Sequence, residues 1–196
     1  MSDPVLQVRD LTITFGRRQQ KAVDSISFDV GADERLGIIG QSGSGKSVTA
    51  LAIMGLLPDH ARVTGSIRFD GRELVGLPER EYRQLRGDDI AMIFQEPMTA
   101  LDPTMKVGRQ IGEVVALHHV DQRGGIRDDV LTWLERVGIV EPARIADSFP
   151  HELSGGQRQR ALIAMALANH PGLVLCDEPT TALDVLVQRQ ILALLD

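Results

Sequence analysis

The chain has 196 residues, 43% of them hydrophobic, enough for one large domain with a real core. Its net charge of −6 and the lack of a basic stripe argue against a nucleic-acid binder. Cys176 is the single cysteine, which excludes an intrachain disulfide and fits a reducing compartment. Met1-Ser2-Asp3-Pro4 lacks a charged and apolar leader, and the longest apolar run, residues 161–168, is too short to cross a bilayer, so any work at a membrane needs spans from elsewhere.

Residues 11–15 alternate apolar and polar and predict a half-buried strand. Residues 22–30 predict a second, with Ile26 and Phe28 in phase. The basic cluster over residues 16–21 lies between them and reads as a hairpin tip. Arg35-Leu36-Gly37-Ile38-Ile39 is apolar and β-branched, the pattern of a buried strand. Gly40-Gln41-Ser42-Gly43-Ser44-Gly45-Lys46-Ser47 follows and fits G-x-x-x-x-G-K-S/T. In such a loop the glycines let the backbone curl until several N–H groups point at one anion. Lys46 adds a point charge for the β- and γ-phosphates, and the Ser47 hydroxyl is placed to ligate Mg²⁺. Residues 47–54 predict a helix that is apolar nearly all round and therefore buried, its positive dipole end toward the phosphates. A chance match has odds on the order of one per cent in a chain of this length, and the strand-before, helix-after context lowers them further.

Residues 65–71 predict a third strand ending in a turn, and the three strands predict a small antiparallel sheet beside the P-loop strand. Residues 78–86 then read as a short charged helix, 90–94 as a buried strand and 95–103 as a loop rich in turn residues. Helices are predicted over 107–118 and 127–137, separated by the Gly124-Gly125 break. Leu153-Ser154-Gly155-Gly156-Gln157 opens a helix over 156–169 that Pro171 closes, with Ser154 as N-cap and the glycines leaving amides uncovered. That makes a second anion site. One P-loop does not need two sites for one γ-phosphate, so the second serves a neighbour's nucleotide, which predicts a head-to-tail dimer. Standing alone, the pentapeptide reads better as a Gly-rich helix start with no ligand. Residues 173–176 predict a buried strand ending in Asp177-Glu178. Beside a P-loop, Asp177 is placed to hold Mg²⁺ through its water shell and Glu178 to polarise an attacking water. On its own that dipeptide is also what a solvated strand end looks like. Residues 185–195 predict an amphipathic helix.

The P-loop at 40–47, Gln95 after a buried strand, residues 153–157, Asp177-Glu178 and Ala182-Leu183-Asp184 stand in the order and spacing of ABC transporter ATPases. The chain resembles that family over essentially its whole length. Phe94-Gln95-Glu96-Pro97-Met98-Thr99-Ala100-Leu101-Asp102-Pro103 resembles, more narrowly, the ATP-binding subunits of oligopeptide, dipeptide and nickel importers. So do residues 43–57 and Asp177-Glu178-Pro179-Thr180-Thr181-Ala182-Leu183-Asp184-Val185.

The resemblance implies an α/β fold, a P-loop NTPase of ABC type whose RecA-like core carries an antiparallel β subdomain and a helical subdomain. It implies one ATPase domain over 1–196, incomplete at its C-terminus. Residues 1–96 hold the β subdomain and the P-loop part of the core, 97–152 the helical subdomain, and 153–196 the signature helix, the Asp-Glu strand and the loop after it. It further implies that Phe15 stacks on adenine, residues 40–47 cradle the phosphates, and Ser47, Gln95 and Asp177 serve Mg²⁺. Glu178 becomes the general base, with Lys46 and Gln95 assisting. Ser154, Gly155, Gly156, Gln157 and Asp184 meet the nucleotide of a second ATPase subunit across a dimer. The implied cofactors are ATP and Mg²⁺. The implied partners are membrane permease subunits and, indirectly, an extracytoplasmic binding protein, at the cytoplasmic face of the membrane.

Three departures stand out. Gln41 replaces the usual Glu, and Leu186 and Arg189 replace small or polar residues. The family's switch histidine has no counterpart: His60, His118, His119, His151 and His170 all precede Asp177, which makes the chain look truncated at Asp196. His118, His119 and His170 read as polar helix-end residues rather than metal ligands. Two other readings stay open, a nucleotide-binding but non-hydrolysing fragment and a non-transport ABC ATPase acting on DNA or ribosomes. The acidic balance and the absence of a long coiled-coil insertion oppose the latter.

Overall fold

A computed structural model describes residues 4–16, 18–94, 100–118 and 125–177. The chain divides into two compact units, Met1–Arg86 and Gly87–Asp196.

The first unit is built on a four-stranded antiparallel sheet. Its strands are β1 (Leu6–Phe15), β2 (Gln20–Val30), β3 (Ala61–Phe69) and β4 (Arg72–Glu73), in the order β2-β1-β3-β4. The predicted hairpin and antiparallel sheet are therefore present, but β1 and β3 begin earlier than the sequence pattern indicates, and the two-residue β4 was not anticipated. The reason lies in a bulge. Leu6 and Val8 are buried, then Leu11 and Ile13, so the buried phase shifts by one residue at Arg9-Asp10. Both neighbours shift register there, and Asp10 takes φ 47°. A period of two cannot carry one face through such a step, so the bulge puts both halves of β1 into the core and hides the strand from a simple alternation count. Side chains satisfy the displaced amides: Asp10 N–H donates to Ser27 Oγ at 2.8 Å and Ser25 N–H to Thr12 Oγ1 at 3.0 Å. On β3, Gly65 (φ 96°) faces the bulge, where a Cβ would stand 2.5 Å from Asp10 O.

Helix α1 (Lys46–Ile53) and helix α2 (Glu79–Leu85) complete this unit. Arg86 joins them: its Nε donates to Met54 O at 2.7 Å and an Nη to Gly55 O at 2.9 Å, covering the carbonyl end of α1. The same guanidinium lies 4.9 Å from the Tyr82 ring centre, and burial pushes the Tyr82 phenol up to about 12.

Two expectations fail here. Residues 35–39 form no strand and pair with no described strand. Leu36, Ile38 and Ile39 are 44%, 48% and 98% exposed. Apolar, β-branched composition favours a strand only when a neighbouring strand pairs with it, and no described strand does so here. Helix α1 is also not buried all round: Thr49, Ala52 and Ile53 are buried while Ser47 is exposed. The remaining residues of the helix are partly buried.

The second unit pairs β5 (Ile90–Ile93) with β6 (Leu173–Cys176) in parallel, Ile90 opposite Leu173 and Ile93 opposite Cys176. Around them stand α3 (Val107–His118), α4 (Ile126–Arg136), α5 (Pro142–Asp147) and α6 (Gly155–Leu167). Trp133, Leu134, Ile111, Val107 and Ile163 centre one continuous core. The periodic segments α3, α4, α6 and β6 lie where the sequence pattern puts them, within two residues at either end. The six-residue α5 was not foreseen. It is held by its surroundings: Ser148, just past its end, accepts from Val107 N–H at 3.0 Å. The loop before α3 is pinned by the Gln110 amide, which accepts from Asp102 N–H and donates to Asp102 O and Met105 O at 2.8–3.0 Å. His170 packs on Trp133 with ring centres 5.1 Å apart, in keeping with a polar helix-end residue. Among the described residues no helix is long and apolar enough to cross a membrane.

Candidate functional site

The P-loop lies in the first unit between residue 39 and the start of α1. Residues 40–44 are exposed. Gly45 is the N-cap at φ 97°, and a Cβ there would stand 2.5 Å from Ala22 O and 2.9 Å from Val23 Cγ2. Only glycine fits that seat on β2, so the sheet fixes where α1 begins. No side chain caps the helix, which leaves its N-terminal amides open to an anion. Lys46 Nζ donates to Gly40 O at 2.8 Å and Gln41 O at 3.0 Å, so the ammonium is held within the loop. Thr49, buried one turn later, donates Oγ1 to Gly45 O at 2.9 Å and stiffens the first turn. The pattern did not single out Thr49; a hydroxyl four residues after the N-cap glycine was the available signal.

Phe15 closes β1, half-buried, opposite Gln20 on one side and Ala61 on the other. The His60 ring lies 5.8 Å from it at 56°. The sequence leaves His60 unassigned, because only the β1–β3 register brings the two together.

In the second unit Ser154 caps α6 by a reciprocal pair. Gln157 N–H donates to Ser154 Oγ at 3.3 Å, and Ser154 N–H to Gln157 Oε1 at 3.0 Å. Ser154 is thus the predicted N-cap, and the Gln157 side chain is committed to the helix itself. Gly155 has nothing within 4 Å of a Cβ position. The helix is anchored behind this open end by Arg160, whose Nη donates to Val137 O at 3.1 Å and Gly138 O at 2.5 Å. Asp177 follows β6, and its N–H extends the ladder to Ile93 O at 3.0 Å, half-buried at the carboxyl end of the strand pair. Gln95, Glu178 and Asp184 lie outside the described residues, as does the segment 185–195 predicted to be helical. No cluster of three metal-ligating His, Cys, Asp or Glu side chains occurs among the described residues.

The ABC transporter family profile matches residues 23–181, from β2 through the P-loop and α6 to beyond Asp177. The chain belongs to the ABC transporter family. This ABC transporter chain is 53% identical over 198 residues to the peptidoglycan transport ATP-binding protein YejF of Agrobacterium fabrum, covering 99% of the chain and 36% of that protein. It is 48% identical to the oligopeptide transport ATP-binding protein OppD of Escherichia coli, covering 58% of it, and 48% identical to the dipeptide transport ATP-binding protein DppD of Haemophilus influenzae, covering 59%. The chain therefore spans between about a third and three-fifths of the length of these relatives. A solved dimeric ATP-binding cassette, MJ0796 bound to ADP and Pi, superposes with a TM-score of 0.86 at 30% identity over 97% of this chain and 81% of that one. The ABC ATPase cassette fold expected from the resemblance is thereby established.

Proposed function

We propose that this chain is the ATP-binding and hydrolysing subunit of an importer for peptides, or for nickel, and that it drives a membrane permease from the cytoplasmic face. The observation that carries the reading is the P-loop: an exposed glycine loop opening into an uncapped helix, with the Lys46 ammonium held inside it. Those features suit a triphosphate, because amides and one cation converge where negative charge must sit. The peptide-transport names of the relatives support the cargo class. Residues 1–196 all belong to one ATPase domain, with the β subdomain and P-loop in 1–96, the helical subdomain in 97–152 and the signature and Asp-Glu elements in 153–196.

Phe15 takes the adenine, and Gly40, Gln41, Ser42, Gly43, Ser44, Gly45, Lys46 and Ser47 take the phosphates. Ser47, Gln95 and Asp177 supply oxygen donors suited to Mg²⁺, which when bound neutralises charge on the β- and γ-phosphates. Glu178 accepts a proton from the water that attacks the γ-phosphorus in line, and the β-phosphate leaves with the bonding pair. Ser154, Gly155, Gly156, Gln157 and Asp184 address the nucleotide of a second subunit. An extracytoplasmic binding protein delivers the cargo to the permease.

The test is phosphate release by the full-length protein with its permease. Glu178→Gln should retain ATP binding while turnover falls about 100-fold or more, the scale of a lost general base. Unchanged turnover, or loss of ATP affinity, would overturn the assignment.

A further inference from the structure

We propose that His60 is a second aromatic wall of the base site, meeting the nucleotide's purine together with Phe15; this rests on the reading of Phe15 as the adenine partner. The sheet brings the two side chains together. Phe15 ends β1 opposite Ala61, the first residue of β3, and His60 immediately precedes Ala61. The rings stand 5.8 Å apart and are tilted by 56°, which makes an open corner rather than a closed stack. A flat base laid on one ring of such a corner meets the second ring at its edge, the offset and tilted geometries that aromatic groups favour. His60 is exposed, and among the described residues it makes no hydrogen bond or ion pair. Among the described residues its one aromatic contact is Phe15.

The placement suits the rest of the P-loop. Phe15 pairs with Gln20 on β2, and two residues along the same strand Ala22 O and Val23 seat Gly45. Two residues of strand advance the chain by roughly 7 Å. The aromatic corner and the phosphate loop thus stand on neighbouring positions of one strand, a separation that a nucleotide bridges through its ribose.

Calorimetric titration of the full-length protein with ATP and with inorganic tripolyphosphate, which has the phosphates but no base, tests the proposal. Phe15→Ala and His60→Ala should each weaken ATP by about fivefold or more, the scale of one lost base–aromatic contact, and leave tripolyphosphate unchanged. His60→Phe should restore ATP affinity, since the contact is aromatic rather than ionic. If Phe15→Ala weakens ATP and His60→Ala does not, the corner is overturned and the reading of Phe15 stands. If Phe15→Ala has no effect, that reading falls and the proposal with it. Equal loss for ATP and tripolyphosphate in His60→Ala would show a structural role for His60, and failure of His60→Phe to recover would exclude an aromatic contact; either result overturns the proposal.

Discussion

Lys46 shows how much one side chain is asked to do. Its ammonium has two carbonyl acceptors within its own loop, Gly40 O and Gln41 O. Those bonds hold the charge in place before any ligand arrives, so Lys46→Ala removes both the cation and a brace of the loop. A charge-assisted hydrogen bond from the ammonium to a phosphate oxygen contributes about 1.5–3 kcal/mol, whereas the exposed bonds within the loop contribute far less to stability. ATP affinity should fall by at least about tenfold, read by calorimetry, with the melting temperature of the ligand-free protein little changed because the loop is exposed. Glu73 makes a different case. Burial pushes its carboxyl up, but hydrogen bonds from Ser66 Oγ, Ile67 N–H and Val75 N–H, with Arg68 nearby, outweigh that and hold it below the usual carboxylate range. A lowered folded pKa stabilises above the unfolded value, and that contribution is lost as pH falls through the folded one. Glu73→Gln should therefore melt below the parent at neutral pH, and the gap should close as pH falls below the ordinary carboxylate range. A gap that stays constant with pH would show that shape rather than charge matters there.

Among the elements, the β1 bulge and the α6 cap carry separate tests. Gly65→Ala forces a side chain onto φ 96° and against Asp10 O, so it should cost about 1–3 kcal/mol in a chemical melt. Ser154→Ala breaks the reciprocal cap and should cost about 1 kcal/mol. The exposed segment 36–39 predicts the reverse. With Ile39 98% exposed, Ile39→Ser in this 196-residue chain should shift stability by no more than about 0.5 kcal/mol. A larger loss would mean that the residue is covered in solution.

At the scale of the whole molecule, the assignment of residues 154–157 to a partner's nucleotide predicts association that depends on ATP. In the full-length protein, Glu178→Gln should elute as a dimer with ATP and as a monomer without it. A monomeric profile under both conditions would contradict the head-to-tail arrangement. What the sequence determined by itself was local or chemical. The helices α3 and α6, the Ser154 cap and the strand β6 follow from periodicity and capping within a few residues, because a helix satisfies its own hydrogen bonds and a cap needs only its neighbours. The P-loop was legible for the same reason: its glycines, Lys46 and Ser47 are consecutive. Tertiary structure decided the rest. Residues 36–39 have strand composition but no described partner. The bulge at Arg9-Asp10 reverses the buried phase of β1. The six-residue α5 is too short to stand by itself. Phe15 reaches His60 only through the pairing of β1 with β3. A strand borrows its hydrogen bonds from chain far away in sequence, so its existence, its register and the side chains that it brings together are properties of the folded molecule.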